Sequence, residues 1–343
     1  MKALLLTAPN HFEYTDLPEP EVGPEEVLVR VKACGICGSD VHGMDGSSGR
    51  RIPPLVMGHE AAGVIAAVGE QVTGWHVGER VIFDSTVYCG RCHFCRRGLI
   101  NLCDHRRVLG VSCAEYRQHG ALAEFVAVPS RILYRLPEDV SFPHGAMVEP
   151  VSIAVHAASL LPLTLDDTVA VIGTGMIGLL VVQVVRAAGC GQIIAVDLNP
   201  FRLEQALTLG TDVALNPAQT DAPAEIHRLT NGRGVDLAFE VVGIDSTVQL
   251  AVQSLRKGGA LALVGNVTPS VTLPLQAVVT RQLSLVGSAA SCGQYPACLN
   301  IISRGSIKLD PIISAVAPLG EGAAWFERLY RGGENLLKVI LEP

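Results

Sequence analysis

The chain has 343 residues, 49% of them apolar and 17% charged, with 35 glycines and 20 prolines spread along it. This is long enough for two packed cores of ordinary size and too apolar for a disordered chain. Its 26 basic residues are outnumbered by 33 acidic ones, a formal charge of −7 that repels phosphate polymers and anionic lipid, so no nucleic-acid or membrane partner is expected. The apolar run near the start, Ala3 to Leu6, is only four residues long, and no stretch of about 18 apolar residues occurs anywhere, which points to a soluble, cytoplasmic protein. The ten cysteines lack the secreted context that would make them a disulfide framework, so metal binding or catalysis is the better expectation.

In chain order, residues 1–150 carry short β-branched runs cut by Gly and Pro, among them "EVLVRVKA", "GVIAAVG", "ERVIF" and "ALAEFVAVP". That texture predicts antiparallel β-structure. Residues 33–40, "ACGICGSD", hold Cys34 and Cys37 in a C-x-x-C pair. A redox dithiol normally opens a helix beside a βαβ pattern, whereas this pair follows a β-run, so Cys34 is expected to be a small buried hydrophobe and Cys37 to act separately.

Within a lobe at about residues 88–104, Cys89, Cys92, Cys95 and Cys103 follow the spacing C-x2-C-x2-C-x7-C. Four thiolates close a tetrahedral zinc shell with no open position, so the site would be structural; the spacing departs from the usual iron–sulfur runs. The neighbouring Arg91, Arg96, Arg97, Arg106 and Arg107 suit a zinc–thiolate cluster of formal charge −2 better than a nucleic-acid patch on an acidic protein.

From about Val151 the texture changes. Apolar strands "TVAVIG", "QIIAVD", "LAFEVV" and "ALALVG" alternate with helix-length segments, which predicts βαβ units around a buried parallel sheet over residues 151–288. Gly173, Gly175 and Gly178, with Met176 and Ile177 between the last two, form G-x-G-x-x-G directly after the first of these strands. Such glycines let backbone approach a pyrophosphate held at a helix N-terminus. Asp197 ends the next strand 24 residues after Gly173, about the separation of an acid that binds a ribose diol, so NAD is expected rather than NADP. Arg202, five residues on, could soften that preference. Residues 289–343 turn irregular again and end in "ENLLKVILEP", which reads as a strand returning to the first domain.

A second, discontinuous set is Cys37, His59 and Glu60 in "GHE", and Glu149 in "VEPVS". Thiolate, imidazole and carboxylate can bind a zinc that keeps an open position, but spacing alone does not join them. "GHEAAGVIAAVG", "GICGSDVH", the four-cysteine lobe and "GTGMIG", taken together, resemble the zinc-containing alcohol dehydrogenases of the medium-chain dehydrogenase/reductase superfamily over nearly the whole chain. "EPVSIAVHA" is most similar to the polyol (sorbitol, L-iditol) branch, since it has Glu149 where ethanol-type members usually have cysteine.

The resemblance implies a GroES-like β catalytic domain, completed by the C-terminal segment, and a Rossmann doubly wound domain, with the active site between them. It implies two zinc ions per chain. Cys37, His59 and either Glu60 or Glu149 would hold the catalytic one, Ser39 would take the substrate proton and His42 would pass it to solvent. Gly265 in "LVGNV" and Ser288 in "VGSAA" resemble nicotinamide contacts. The implied reaction is hydride transfer from a secondary alcohol to NAD, giving a ketone, in a homodimer or homotetramer.

Two departures bear on the substrate. Gly43 stands where polyol dehydrogenases often carry an aromatic, and "GSAASCGQYP" lacks an arginine that many carry. A diol or amino alcohol is therefore an alternative, as in butanediol or threonine 3-dehydrogenases. A zinc-lobed protein that only senses NAD, and a zinc-free quinone reductase, are the readings from outside that chemistry.

Overall fold

The structure, a computed structural model, describes residues 1–113 and 116–343. The chain forms two compact units, one of Met1–Glu149, Tyr295–Ser303 and Ile312–Pro343, the other of Pro150–Gln294 and Arg304–Pro311. The chain thus returns to the first unit in two pieces rather than the single run 289–343. Residues 304–311 stay with the second unit because the Gln183 side chain donates to the carbonyl of Lys308 at 3.1 Å and accepts from its N–H at 2.7 Å.

The β-branched runs of the first unit build a seven-stranded sheet. Its path runs Leu133–Arg135, Arg80–Phe83, Glu60–Val68, Glu26–Gly35, Lys338–Glu342, Ile313–Pro318, with Phe125–Pro129 also pairing with Glu26–Gly35. Glu26–Gly35 is its centre, and the register that places Gly35 opposite both Glu60 and Ile340 brings three distant segments to one point. Apolar residues of these strands, including Val27, Val29, Val31, Ile65 and Leu341, form the core with Leu4, Leu6 and Met57. Helix Gly322–Arg331 closes it through Phe326, fully buried, whose ring lies 4.6 Å from that of Phe12.

The second unit is a six-stranded parallel sheet in the order Val213–Leu215, Ile193–Val196, Val169–Ile172, Val235–Glu240, Leu255–Leu263, Ser284–Gly287. Its inner strands are apolar at nearly every position because helices cover both faces. Short polar caps start those helices: Asn199 accepts from the N–H groups of Phe201 and Arg202, and Asp221 from that of Ala224. Strand order reverses between Val169–Ile172 and Val235–Glu240, the switch point at which doubly wound sheets bind ligands. Among the described residues no helix is long and apolar enough to cross a membrane.

Truncating Phe326 removes a large side chain from a closed core. Phe326→Ala is expected to cost about 3–5 kcal/mol, read as a lowered calorimetric transition, with NAD affinity unchanged because the second unit does not use it.

Candidate metal and nucleotide sites

Four thiols of the lobe, Cys89, Cys92, Cys95 and Cys103, lie with their sulfurs within 4.8 Å of one another. The short helix His93–Arg96 begins on Cys92, whose sulfur accepts from the N–H of Cys95 at 3.5 Å, and the Cys103 sulfur accepts from the N–H of Cys89 at 3.3 Å. Backbone N–H groups aimed at sulfur favour the thiolate, and the N–H of Arg91 heads the causes that hold Cys89 down at about 6. None of the four is in a disulfide. This donor set fits a structural zinc.

The second cluster is Cys37, His59 and Glu60, also with ligand atoms within 4.8 Å. Cys37 ends the central strand region and caps the single turn Gly38–Val41. His59 follows Gly58, whose φ of +94° suits glycine; a Cβ there would lie 2.8 Å from the sulfur of Cys34. Cys34 is fully buried and outside the cluster, so the C-x-x-C pair is divided between packing and the cluster. Gly35 is glycine for a related reason, since a methyl group on it would overlap the Glu60 carboxylate across the strand pair.

Burial, and next the Glu60 charge, push the Cys37 thiol up to about 12. Burial likewise pushes Glu149, in the first turn of helix Val148–Ser159, up to about 8, although its side chain keeps some exposure. His59, Glu60 and Cys37 act on Glu149 electrostatically, so it neighbours the cluster without belonging to the set within 4.8 Å. Glu60 Oε1 is buried and has no hydrogen-bond partner, and its other oxygen accepts from Lys338 Nζ at 2.6 Å. A thiol, an imidazole and an orphaned carboxylate oxygen in a crowded anionic volume fit a divalent cation.

Three residues that sequence reasoning passed over organise this cluster. Lys338 is fully buried, donates also to the carbonyl of Ile36 at 2.8 Å, and is kept charged against its burial by Glu60 and Cys37. Asp40 is fully buried with Oδ2 3.5 Å from His59 Nδ1, and Arg51 binds its other oxygen at 2.6 Å. A lysine inside the apolar run "LLKVIL" was the available signal for Lys338; nothing local marks Arg51. Ser39 is exposed, donates to the Cys37 sulfur at 3.2 Å and accepts from Arg51 at 3.2 Å. His42 is exposed and stands three residues beyond Ser39 on the same turn, a spacing that sets the two side by side.

In the second unit Gly173 has φ +91°, and a Cβ on Gly178 would overlap the carbonyl of Gly173, so helix and strand close tightly. Gly175 caps helix Met176–Ala187, and a Cβ there would have only Arg202 Nη1 within 4 Å. That open space above unpaired N–H groups at a helix start, at Met176 and Ile177, fits a pyrophosphate. Asp197 accepts from the N–H of Thr174 at 2.7 Å and of Asn199 at 2.9 Å, with Arg202 4.0 Å away. Gly265 packs against the backbone of Val242 and Gly243, and the Ser288 hydroxyl is buried with no hydrogen-bond partner. Glu240, also unforeseen, holds the N–H groups of Val242 and Gly243 at 2.9 and 2.8 Å. An acid inside the apolar strand "LAFEVV" was its signal.

Two cation-ready clusters in one unit and a glycine turn with a ribose-type acid in the other define a metal-dependent dinucleotide oxidoreductase. The sequence matches two family descriptions, an alcohol dehydrogenase GroES-like domain over residues 23–138 and a zinc-binding dehydrogenase over 177–304. It is 33% identical to a sorbitol dehydrogenase of Bacillus subtilis (strain 168), over 100% of this chain and 97% of that protein. The solved (2R,3R)-butanediol dehydrogenase of B. subtilis is 30% identical, with a TM-score of 0.90 over 100% of this chain and 99% of the other. An alcohol dehydrogenase of Escherichia coli CFT073 in complex with NADH is 32% identical, with a TM-score of 0.92 over 100% and 99%. The chain belongs to the zinc-containing alcohol dehydrogenases of the medium-chain superfamily, in the polyol branch. It is an enzyme with a GroES-like and a Rossmann domain, and zinc and a nicotinamide dinucleotide are its cofactors.

Two outcomes follow from the geometry. Gly35→Ala should displace the Glu60 carboxylate and lower zinc from two to about one per chain by metal analysis, with the lobe ion retained. Asp197→Ala should weaken NAD binding about tenfold or more by calorimetry without changing zinc content.

Proposed function

We propose that the enzyme oxidises a secondary alcohol, a polyol or short diol, to the ketone with NAD as hydride acceptor. The observation that carries this is the Cys37, His59 and Glu60 cluster with its orphaned Glu60 oxygen, in a chain that also has the Gly173–Asp197 nucleotide turn. Zinc bound there would supply Lewis-acid activation of the alcohol hydroxyl. Cys37, His59 and Glu60 would hold it, and Glu149 would stand in reserve as a neighbouring carboxylate. Ser39 would accept the substrate proton, and exposed His42 would pass it to water. Asp197 supports NAD over NADP, because a carboxylate repels a 2′-phosphate, and Arg202 at 4.0 Å tempers that preference. Gly265 and Ser288 would flank the nicotinamide, Ser288 through its unsatisfied hydroxyl.

Gly43, and the lack of arginine in 287–296, support a shorter or less polar substrate than a six-carbon polyol, and so a butanediol- or threonine-like alcohol as the second reading. The homo-oligomer belongs to the same proposal. Ser284–Gly287 is the end strand of its sheet, and exposed Val267, Leu275 and Val279 lie in the flanking segments, the features of an edge that pairs with a second copy. Four clustered thiols need a reducing compartment, which supports the cytoplasm.

A panel of polyols, diols and threonine, followed by NADH absorbance, tests the reading. Turnover with at least one secondary alcohol is expected, abolished by chelation and by Cys37→Ser but not by Cys34→Ser. No turnover across the panel by zinc-loaded enzyme would reject it.

A further inference from the structure

We infer that Arg51 is a positioning residue that aligns the metal-side imidazole and the proton-accepting hydroxyl with one guanidinium, an inference that rests on the roles proposed above for His59 and Ser39. Arg51 is buried, and its contacts divide between the two functions. Nε and Nη2 both donate to Asp40 Oδ1, at 2.8 and 2.6 Å, while Nη2 also reaches Ser39 Oγ at 3.2 Å and Nη1 the carbonyl of Arg50 at 3.1 Å. Both donors hold Asp40 by Oδ1 and leave Oδ2, which has no hydrogen-bond partner, 3.5 Å from His59 Nδ1, which has none either. A carboxylate this close to Nδ1 favours the proton on that nitrogen through its charge, which leaves Nε2 as the lone-pair nitrogen.

The same guanidinium governs Ser39. A hydroxyl has one proton and two lone pairs. Here the proton points to the Cys37 sulfur and one lone pair to Arg51, so the single remaining lone pair can receive a proton only as the hydroxyl turns its own proton away from Cys37 and gives it up toward His42. Gly43 makes room for this arrangement, since a Cβ on it would lie 2.8 Å from Arg51 Cγ and 2.9 Å from the carbonyl of Ser39. Position 43 and the stem of Arg51 occupy one space.

A lysine at 51 keeps the buried charge but is a point donor that cannot fork across two acceptors. Arg51→Lys in the zinc-loaded enzyme is expected to lower kcat about tenfold or more with KM for NAD unchanged, and to add less than that loss when Ser39→Ala is already present, because only the Asp40 limb is then left to disturb. Arg51→Met also strips Asp40 of its partner, and the catalytic zinc should pass to a chromophoric chelator about 10–100-fold faster while the lobe zinc leaves at the wild-type rate. Gly43→Ala should shift both measurements in the same direction. Wild-type kcat in Arg51→Lys, a full additional loss on top of Ser39→Ala, or equal acceleration of both zinc ions in Arg51→Met would each overturn the inference. Where Arg51→Met does not fold, the lysine variant and the Ser39 cycle decide alone. An unchanged protein without alcohol-dependent NADH formation would sink the proposed function instead, while the difference in zinc release between Arg51→Met and the unchanged protein would still judge the Asp40 limb.

Discussion

The thiol of Cys37 and the carboxylates of Asp40, Glu60 and Glu149 crowd a volume largely closed to water, and Arg51 and Lys338 answer them with positive charge. Four groups able to carry a negative charge against two cations leave a deficit of two. Charge in such a place is costly unless it is paired, because the attraction that offsets lost hydration depends on close opposite charges. A divalent cation closes the deficit. Burial first, and the neighbouring negative charges after it, push Cys37 up to about 12 and Glu149 up to about 8. A metal held there would thus be part of the electrostatic architecture of the first unit, and the close packing around Gly35 and Gly58 leaves the side chains little freedom to rearrange in its place.

The two cations hold different parts of that architecture. Lys338 arrives on the last strand, 302 residues beyond the Ile36 carbonyl it meets, and occupies one oxygen of Glu60 while the other is left without a partner. Arg51 arrives from the loop before Leu55–Val56 and turns Asp40 toward His59. Each cation therefore orients a carboxylate that in turn faces the cluster, and the cluster's shape depends on a strand register set far away. The pairing of Ile340 with Gly35 and of Gly35 with Glu60 is the mechanical link between the chain's end and Cys37.

That dependence explains which features were legible in the sequence. The four-cysteine lobe and the Gly173–Asp197 turn are local: their clustering follows from spacing along one loop or one strand–turn–helix, and spacing is what a sequence displays. The parallel sheet of the second unit was legible for the same reason, since strands alternating with helices declare one. Cys37, His59 and Glu60 could be joined only through family likeness, because their meeting depends on sheet register. Arg51 and Lys338 carry no local mark of their partners at all. The choice between Glu60 and Glu149 was open on spacing, and it narrows only through the carboxylate that lies with Cys37 and His59. The segment 304–311 stays with the second unit through the amide of Gln183, a side chain in an otherwise apolar helix.

The nucleotide turn works by a different principle, in which space and backbone donors matter more than charge balance. Gly173 and Gly178 are compact so that helix and strand touch, Gly175 is bare so that a ligand can approach, and Asp197 and Glu240 tie down the loops on either side. Asp197 consequently has two roles to reconcile: its carboxylate would be the acceptor for a ribose hydroxyl in the reading proposed above, and it fixes the N–H of Thr174 inside the glycine turn. A change of cofactor toward a 2′-phosphate would require removing that negative charge, and removing it would release the turn proposed to seat the pyrophosphate. Cofactor preference in this chain is therefore coupled to the shape of the phosphate seat, and Arg202, at 4.0 Å from the same carboxylate, cannot relieve that coupling because it supplies charge without an acceptor for Thr174.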